Sequence, residues 1–195
     1  MIKYISFFWL FFLAACSNNS PEGEKYFAEG AYQKAIDYFT EYLEAHAPTV
    51  TILYKRGRSF EELGKFQLAL NDFETILKID NQNIEAQTSI AKVKYEMGNF
   101  GQSMLAAQKA IRINKRYAPS YFWLAKAAHQ MGYFEEAFKA YNRALKIDPN
   151  YGEAFYYRGA LEISMDKKKE ACEDFDRAVR LNIEGSQDAK NKYCS

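Results

Sequence analysis

Set out in rows of 34 residues from Cys16, the chain places Gly30, Gly64, Gly98 and Gly132 in one column, with Asp166 beneath them. Three further glycines in a preset register coincide by chance on the order of once in ten thousand. Neighbouring columns repeat independently. Two residues after each glycine stand Tyr32, Phe66, Phe100 and Phe134, and three further on Ala35, Ala69, Ser103, Ala137 and Ala171. Seven before the glycine column the residues are all small: Gly23, Gly57, Ala91, Ala125 and Gly159. Later come Phe39, Phe73, Ala107, Tyr141 and Phe175, and three beyond them Tyr42, Ile76, Ala110, Ala144 and Ala178. Each row holds two amphipathic stretches, such as 119–131 and 133–147, split by a glycine expected just past a helix end, where a left-handed backbone is needed. Small columns let the two helices of a row approach closely, while aromatic columns fill the space between hairpins. One hairpin cannot bury its apolar stripe alone, so the rows must stack.

Composition agrees. Only 4 prolines and 10 glycines in 195 residues argue against turn-rich all-β, collagen-like or disordered chains. With 26 basic and 25 acidic side chains, the net charge of +1 creates no field to hold a nucleic-acid backbone or an anionic membrane by itself. No nucleic-acid partner is expected.

These columns resemble the tetratricopeptide pattern, most fully in row 118–151, which carries Tyr121, Leu124, Ala125, Gly132, Phe134, Ala137, Tyr141, Ala144 and Pro149. The resemblance covers about residues 21–185 and implies an all-α fold: a right-handed α-solenoid of about five helical hairpins, with residues 186–195 adding a short capping helix. The first row departs from the pattern at Ser17-Asn18-Asn19-Ser20-Pro21, so its first helix is expected to begin near Pro21 with Ser20 as cap. The fifth row replaces glycine by Asp166 and the aromatic by Lys168, which suits a more polar terminal hairpin.

Residues 1–15 read as an address. Lys3 precedes an apolar stretch from Tyr4 to Ala15, broken only by Ser6; twelve helical residues rise about 18 Å, short of the roughly 30 Å hydrocarbon core, as in a signal peptide. Leu13-Ala14-Ala15-Cys16 resembles the lipobox of bacterial lipoproteins, which implies cleavage before Cys16, acylation of that cysteine, and a lipidated tether over 16–20. More than one acyl chain makes anchoring stable, since each buried methylene contributes about 0.8 kcal/mol. The expected location is the bacterial cell envelope, at the outer membrane.

Arginine occupies the seventh position only in rows two and five, as Arg56 and Arg158, and aspartate the twenty-third only there, as Asp72 and Asp174. Rows three and four carry Ile90 with Ala106 and Leu124 with Ala140. Charged partners that come and go together predict salt bridges between the two helices of a hairpin. Cys172 and Cys194 make an even count in a chain read as exported, where oxidation is permitted. A bridge would staple the tail for roughly 3 kcal/mol in the chain-entropy model; the alternative is a buried free thiol beside a frayed terminus.

Catalytic constellations are scarce. His46 and His129 lie in different rows without ligands at metal spacing, and no phosphate loop or nucleophile elbow occurs. A non-enzyme is expected, with no metal, no small-molecule substrate and no cofactor beyond the lipid at Cys16. In the family resembled, the first helices of the rows line a concave groove. In this register one ladder reads Tyr54, Thr88, Phe122, Tyr156 and another Arg58, Lys92, Lys126, Ala160, flanked by Lys55, Ser89, Trp123, Tyr157 and by Glu61, Tyr95, His129, Ile163. An aromatic strip beside a basic strip suits an extended or helical peptide with apolar side chains and some acidic character. Tyr54 and Phe122 divide between binding and packing, Trp123 favours packing, and His129 suits the groove wall. Arg58 with Glu62 and Lys92 with Glu96 form ordinary helix-face pairs, leaving Lys126 as the cation without a partner. Tetratricopeptide domains that clamp chaperone carboxylates carry asparagines where this chain has Arg58 and Ser89, which disfavours a co-chaperone. The expected function is a membrane-anchored adaptor binding a partner polypeptide; the alternative is a subunit of an envelope complex docking through its convex face or its ends.

Overall fold

The computed structural model describes residues 21–194, so the signal peptide, Cys16, the tether and the Ser20 cap lie outside the described residues. Eleven helices and no strand occur among the described residues. They pair as hairpins: α1 (Pro21–Ala28) with α2 (Tyr32–Ala45), α3 (Val50–Glu62) with α4 (Phe66–Ile79), α5 (Ile84–Glu96) with α6 (Phe100–Ile113), α7 (Ala118–Gln130) with α8 (Phe134–Ile147), and α9 (Gly152–Ser164) with α10 (Lys168–Arg180). A last helix, α11 (Ser186–Tyr193), packs on α10. Among the described residues each hairpin packs on the next along the chain, which makes an α-solenoid.

The turns show why glycine recurs in its column. Gly30, Gly64, Gly98 and Gly132 all lie in the left-handed region, with φ of 69° to 76°. At the second turn Gly64 N donates to Glu61 O at 2.9 Å and Lys65 N to Phe60 O at 2.8 Å, closing carbonyls that the helix end leaves open. Asp166 adopts φ 58° and the same two bonds recur, from Asp166 N to Ile163 O and from Lys167 N to Glu162 O. The fifth row therefore keeps the turn at some backbone cost. At the opposite edge, the side chains of Asp80, Asn114 and Asp148 accept from the backbone N–H two residues on, an Asx turn repeated every 34 residues.

Between the helices of each hairpin, Phe39, Phe73, Ala107, Tyr141 and Phe175 are fully buried, and the small column faces them. A methyl at Gly57 would stand 2.8 Å from Phe73 Cε1, and one at Gly159 would stand 2.9 Å from Phe175 Cε1. The main core runs without a break from Ile36 to Ala178, while Ala35, Phe39 and Ile52 form a separate cluster with Tyr26, Phe27 and Tyr42 where the first hairpin meets α3.

Candidate functional site

The first helices α3, α5, α7 and α9 share one face, and that face divides into three zones. In the zone nearest the N-terminus every cation is matched. Lys55 Nζ meets Glu24 Oε1 at 2.6 Å, crossing from α3 to α1. Glu61 is buried and receives Arg58 Nε at 3.1 Å together with Lys92 Nζ from the next row, while Arg58 Nη2 holds Glu62 Oε1 at 3.2 Å. Lys92 thus reaches back to Glu61 instead of pairing with Glu96. An exposed helix-face pair is worth only tenths of a kcal/mol, whereas a buried carboxylate demands compensation. Burial works against the Arg58 charge, but Glu61, the Tyr54 hydroxyl and Glu62 outweigh it and hold the guanidinium more firmly protonated. The Tyr54 ring leans on Phe73, 5.7 Å between centroids.

The central zone is built around Lys126. Its Nζ lies 4.4 Å from the Tyr95 ring centre, 4.3 Å from Tyr157 and 4.9 Å from Trp123, so three rows each supply a wall. The residue is only 8% exposed: the stem is enclosed and the ammonium sits among ring faces. Among the described residues it forms no ion pair. Burial pushes its pKa below the usual lysine value, with Glu96 opposing the shift and Lys92 adding to it. Phe122, divided between binding and packing in the sequence, falls to packing and is not a groove residue. At 4% exposed it belongs to the core, set among Trp123, Tyr141, Tyr151 and Tyr157. Thr88 and Ser89 are buried, and Thr88 Oγ1 lies 3.0 Å from Ser120 Oγ, joining α5 to α7. His129 stands edge-on to Phe134, and burial lowers its pKa below the usual histidine value.

In the third zone Tyr156 and Tyr157 meet edge to face at 5.1 Å, and Tyr156 leans on Phe175. Beyond them α11 closes the solenoid. Cys172 and Cys194 are joined by a disulfide, Cα to Cα 5.7 Å; Lys190 pairs with Asp176, and Tyr193 stacks on Phe175.

Behind the face lie the two Arg–Asp pairs. Arg56 Nε and Nη2 donate to the two oxygens of Asp72 at 2.8 and 2.7 Å, and Arg158 meets Asp174 in the same fork at 2.6 and 2.7 Å. Each guanidinium has a further partner in the preceding row. Arg56 Nη1 donates to Thr40 Oγ1 at 3.3 Å and Arg158 Nη1 to Asn142 Oδ1, so each arginine fastens three helices. The column of Thr40 and Asn142 also holds Glu74, Gln108 and Asp176; it is polar in every row and carries no signal that these two bind arginine. Reading the sequence also missed Glu162, buried in α9 with Oε2 lacking a partner. Its column otherwise holds Tyr26, Phe60, Lys94 and Ala128, a mixture that indicates neither burial nor charge.

No group of three His, Cys, Asp or Glu among the described residues is arranged to hold a metal ion, and none of the described helices is long and apolar enough to cross a membrane. Residues 22–84 and 118–151 each match a tetratricopeptide-repeat family model. No curated protein matches the chain with significant similarity. Among solved structures, it is similar to TTC0263, a thermophilic tetratricopeptide protein of Thermus thermophilus (TM-score 0.71, 20% identity, covering 89% of this chain and 94% of that one). MamA from Desulfovibrio magneticus RS-1 superposes with TM-score 0.70 at 20% identity, covering 83% and 91%. YrrB, described as a tetratricopeptide protein with an unusual peptide-binding site, does so with TM-score 0.63 at 18% identity, covering 87% and 88%. Left-handed turns every 34 residues, small columns facing aromatic ones and hairpins stacked end to end agree with these matches: residues 22–84 and 118–151 are tetratricopeptide repeats, set in a solenoid of tetratricopeptide type.

Proposed function

We propose that this protein is a lipid-anchored, non-catalytic adaptor of the bacterial envelope that docks a partner polypeptide on the face of α3, α5, α7 and α9. The observation that carries the reading is Lys126: an ammonium among Tyr95, Trp123 and Tyr157, without an ion-pair partner among the described residues. Such a centre favours a carboxylate flanked by apolar side chains, because rings exclude water and strengthen the attraction. Tyr54 and Tyr156 extend the strip to either side, while Arg58 and Lys92 are engaged by Glu61 and act as a rigid flank. Packing fixes these side chains before binding, which limits the entropy cost of docking. The lipobox-like Leu13-Ala14-Ala15-Cys16 supports anchoring through Cys16, at the outer membrane, where the lipid would concentrate the groove beside its partner.

A second reading, docking through an edge, is favoured by the exposure of Leu63, Met97, Met131, Tyr133 and Phe134 at the turns between first and second helices. Photocrosslinking side chains at Tyr54 or Tyr156 against Leu63 or Met131 separate the two in intact cells. The groove reading expects one adduct from the first pair, lost in Lys126→Met; an adduct from the turn positions alone would overturn it. Cys16→Ser is expected to move the protein from the detergent phase to the aqueous phase, and unchanged partitioning would end the lipid anchor.

A further inference from the structure

Past the Lys126 box the same face ends in a cavity of about 530 Å³, and its lining differs in charge from everything before it. Two walls are the Tyr156 and Tyr157 rings, set nearly perpendicular at 81°. The rim carries Glu153, from the first turn of α9, and Glu184, from the loop between α10 and α11. No lysine or arginine lines it, and among the described residues neither glutamate is in an ion pair. Burial raises the pKa of the Tyr157 hydroxyl, and the charges of Glu96 and then Glu153 add to it. The loop wall is held in place: Asn182 and Gly185 adopt left-handed backbone on either side of Ile183 and Glu184, and α11 behind them is tied down by the disulfide.

We infer that this cavity is a subsite for a cationic side chain, an arginine or lysine of the docked polypeptide. Two ring faces at a corner and two carboxylates without counter-ions are the chemistry that recognises a guanidinium or an ammonium. Tyr157 serves both sites: it is a wall of the Lys126 box and a wall of the cavity. The face is therefore polar along its length, cationic at the centre and anionic at the C-terminal end. A partner segment with an acidic residue over Lys126 and a basic residue farther along would dock in one direction only. This inference rests on the groove reading and adds to it the sign and position of a second contact.

The test is selection of 12-residue peptides displayed on phage against the detergent-solubilised full chain, followed by titration of the selected peptide and its arginine-to-citrulline form. Selected peptides are expected to carry a basic residue displaced from an acidic one. Citrulline is expected to weaken binding about tenfold, and the double substitution Glu153→Gln, Glu184→Gln to remove that preference while leaving the acidic one intact. Cys172→Ser with Cys194→Ser, which frees the loop wall, is expected to weaken only the arginine contact. Peptides without basic enrichment, or equal affinity for arginine and citrulline, would overturn the subsite and leave the groove standing. If Lys126→Met binds every selected peptide unchanged, or no peptide is selected at all, the groove reading falls and the subsite with it.

Discussion

Hairpins two and five differ from hairpins three and four in how they solve one packing problem. In the former an arginine forks onto an aspartate across the helix pair, with glycine seated against phenylalanine one residue on. In the latter the same columns hold Ile90 and Ala106 or Leu124 and Ala140, all at most 9% exposed. The backbone hairpin is the same in both, so the polar clasp is not what makes it fold. Burial pushes the Asp72 carboxyl upward more than Arg56 draws it down, a sign that the pair gives back in desolvation much of what it gains in attraction. What the clasp adds is registration: through Thr40 and Asn142 each arginine fixes the preceding row as well. The apolar hairpins occupy the centre, and α5 and α7 from those two rows supply Tyr95, Trp123 and Lys126 to the candidate site.

The largest expected effect breaks one clasp. Asp72→Ala leaves a mostly buried guanidinium without its carboxylate and should cost about 3–5 kcal/mol in denaturant unfolding. Arg56→Leu with Asp72→Ala copies the fourth row and should recover most of that loss; a double variant as unstable as the single one would show that the clasp supplies net stability after all. Next comes the difference between the two clasped rows, since only the fifth carries a buried Glu162. Burial first, then Asp174, raises its pKa to about 7, against the attraction of Arg158. The folded state therefore binds a proton that the unfolded chain has released, and the residue destabilises progressively as pH rises from the ordinary carboxylate range through about 7. Glu162→Gln should gain on the order of 2 kcal/mol at pH 8 and almost nothing at pH 4; a gain independent of pH would rule out this origin. The smallest effect concerns the glycines. Gly57→Ala improves helix propensity by about 1 kcal/mol but drives a methyl into Phe73, for a net loss of roughly 1 kcal/mol. Ala125→Gly, against Tyr141, should lose a similar amount for the opposite reason, and a stabilised Gly57→Ala would mean that Phe73 can move aside.

Much of this was legible in the 34-residue register. Turn positions were readable because a left-handed backbone selects glycine so strongly, and the arginine and aspartate columns because they change together. Lys126 was harder. Counting four residues along its helix finds Gln130 and no carboxylate, which says only that it has no partner on its own helix; its surroundings, Tyr95 and Tyr157, lie on helices one row before and one row after. The same local rule matches Lys92 with Glu96, whereas Lys92 pairs with Glu61 of the row before. Contacts within a helix follow from spacing, but contacts between rows depend on side-chain direction and on which neighbour is buried.

The sequence by itself determined the repeat, the hairpin and its turns, and the columns that meet inside each row, because all of these are set by local backbone preference and by a period that cannot slip without exposing the apolar stripe. Only the tertiary structure decided which cations are neutralised, that Phe122 is core, that Lys126 lies among rings, and that Glu153 and Glu184 rim a cavity at the end of the face. Those outcomes depend on the distance and tilt between stacked hairpins, which bring together residues more than 30 positions apart and settle, through burial, whether a charge must find a partner.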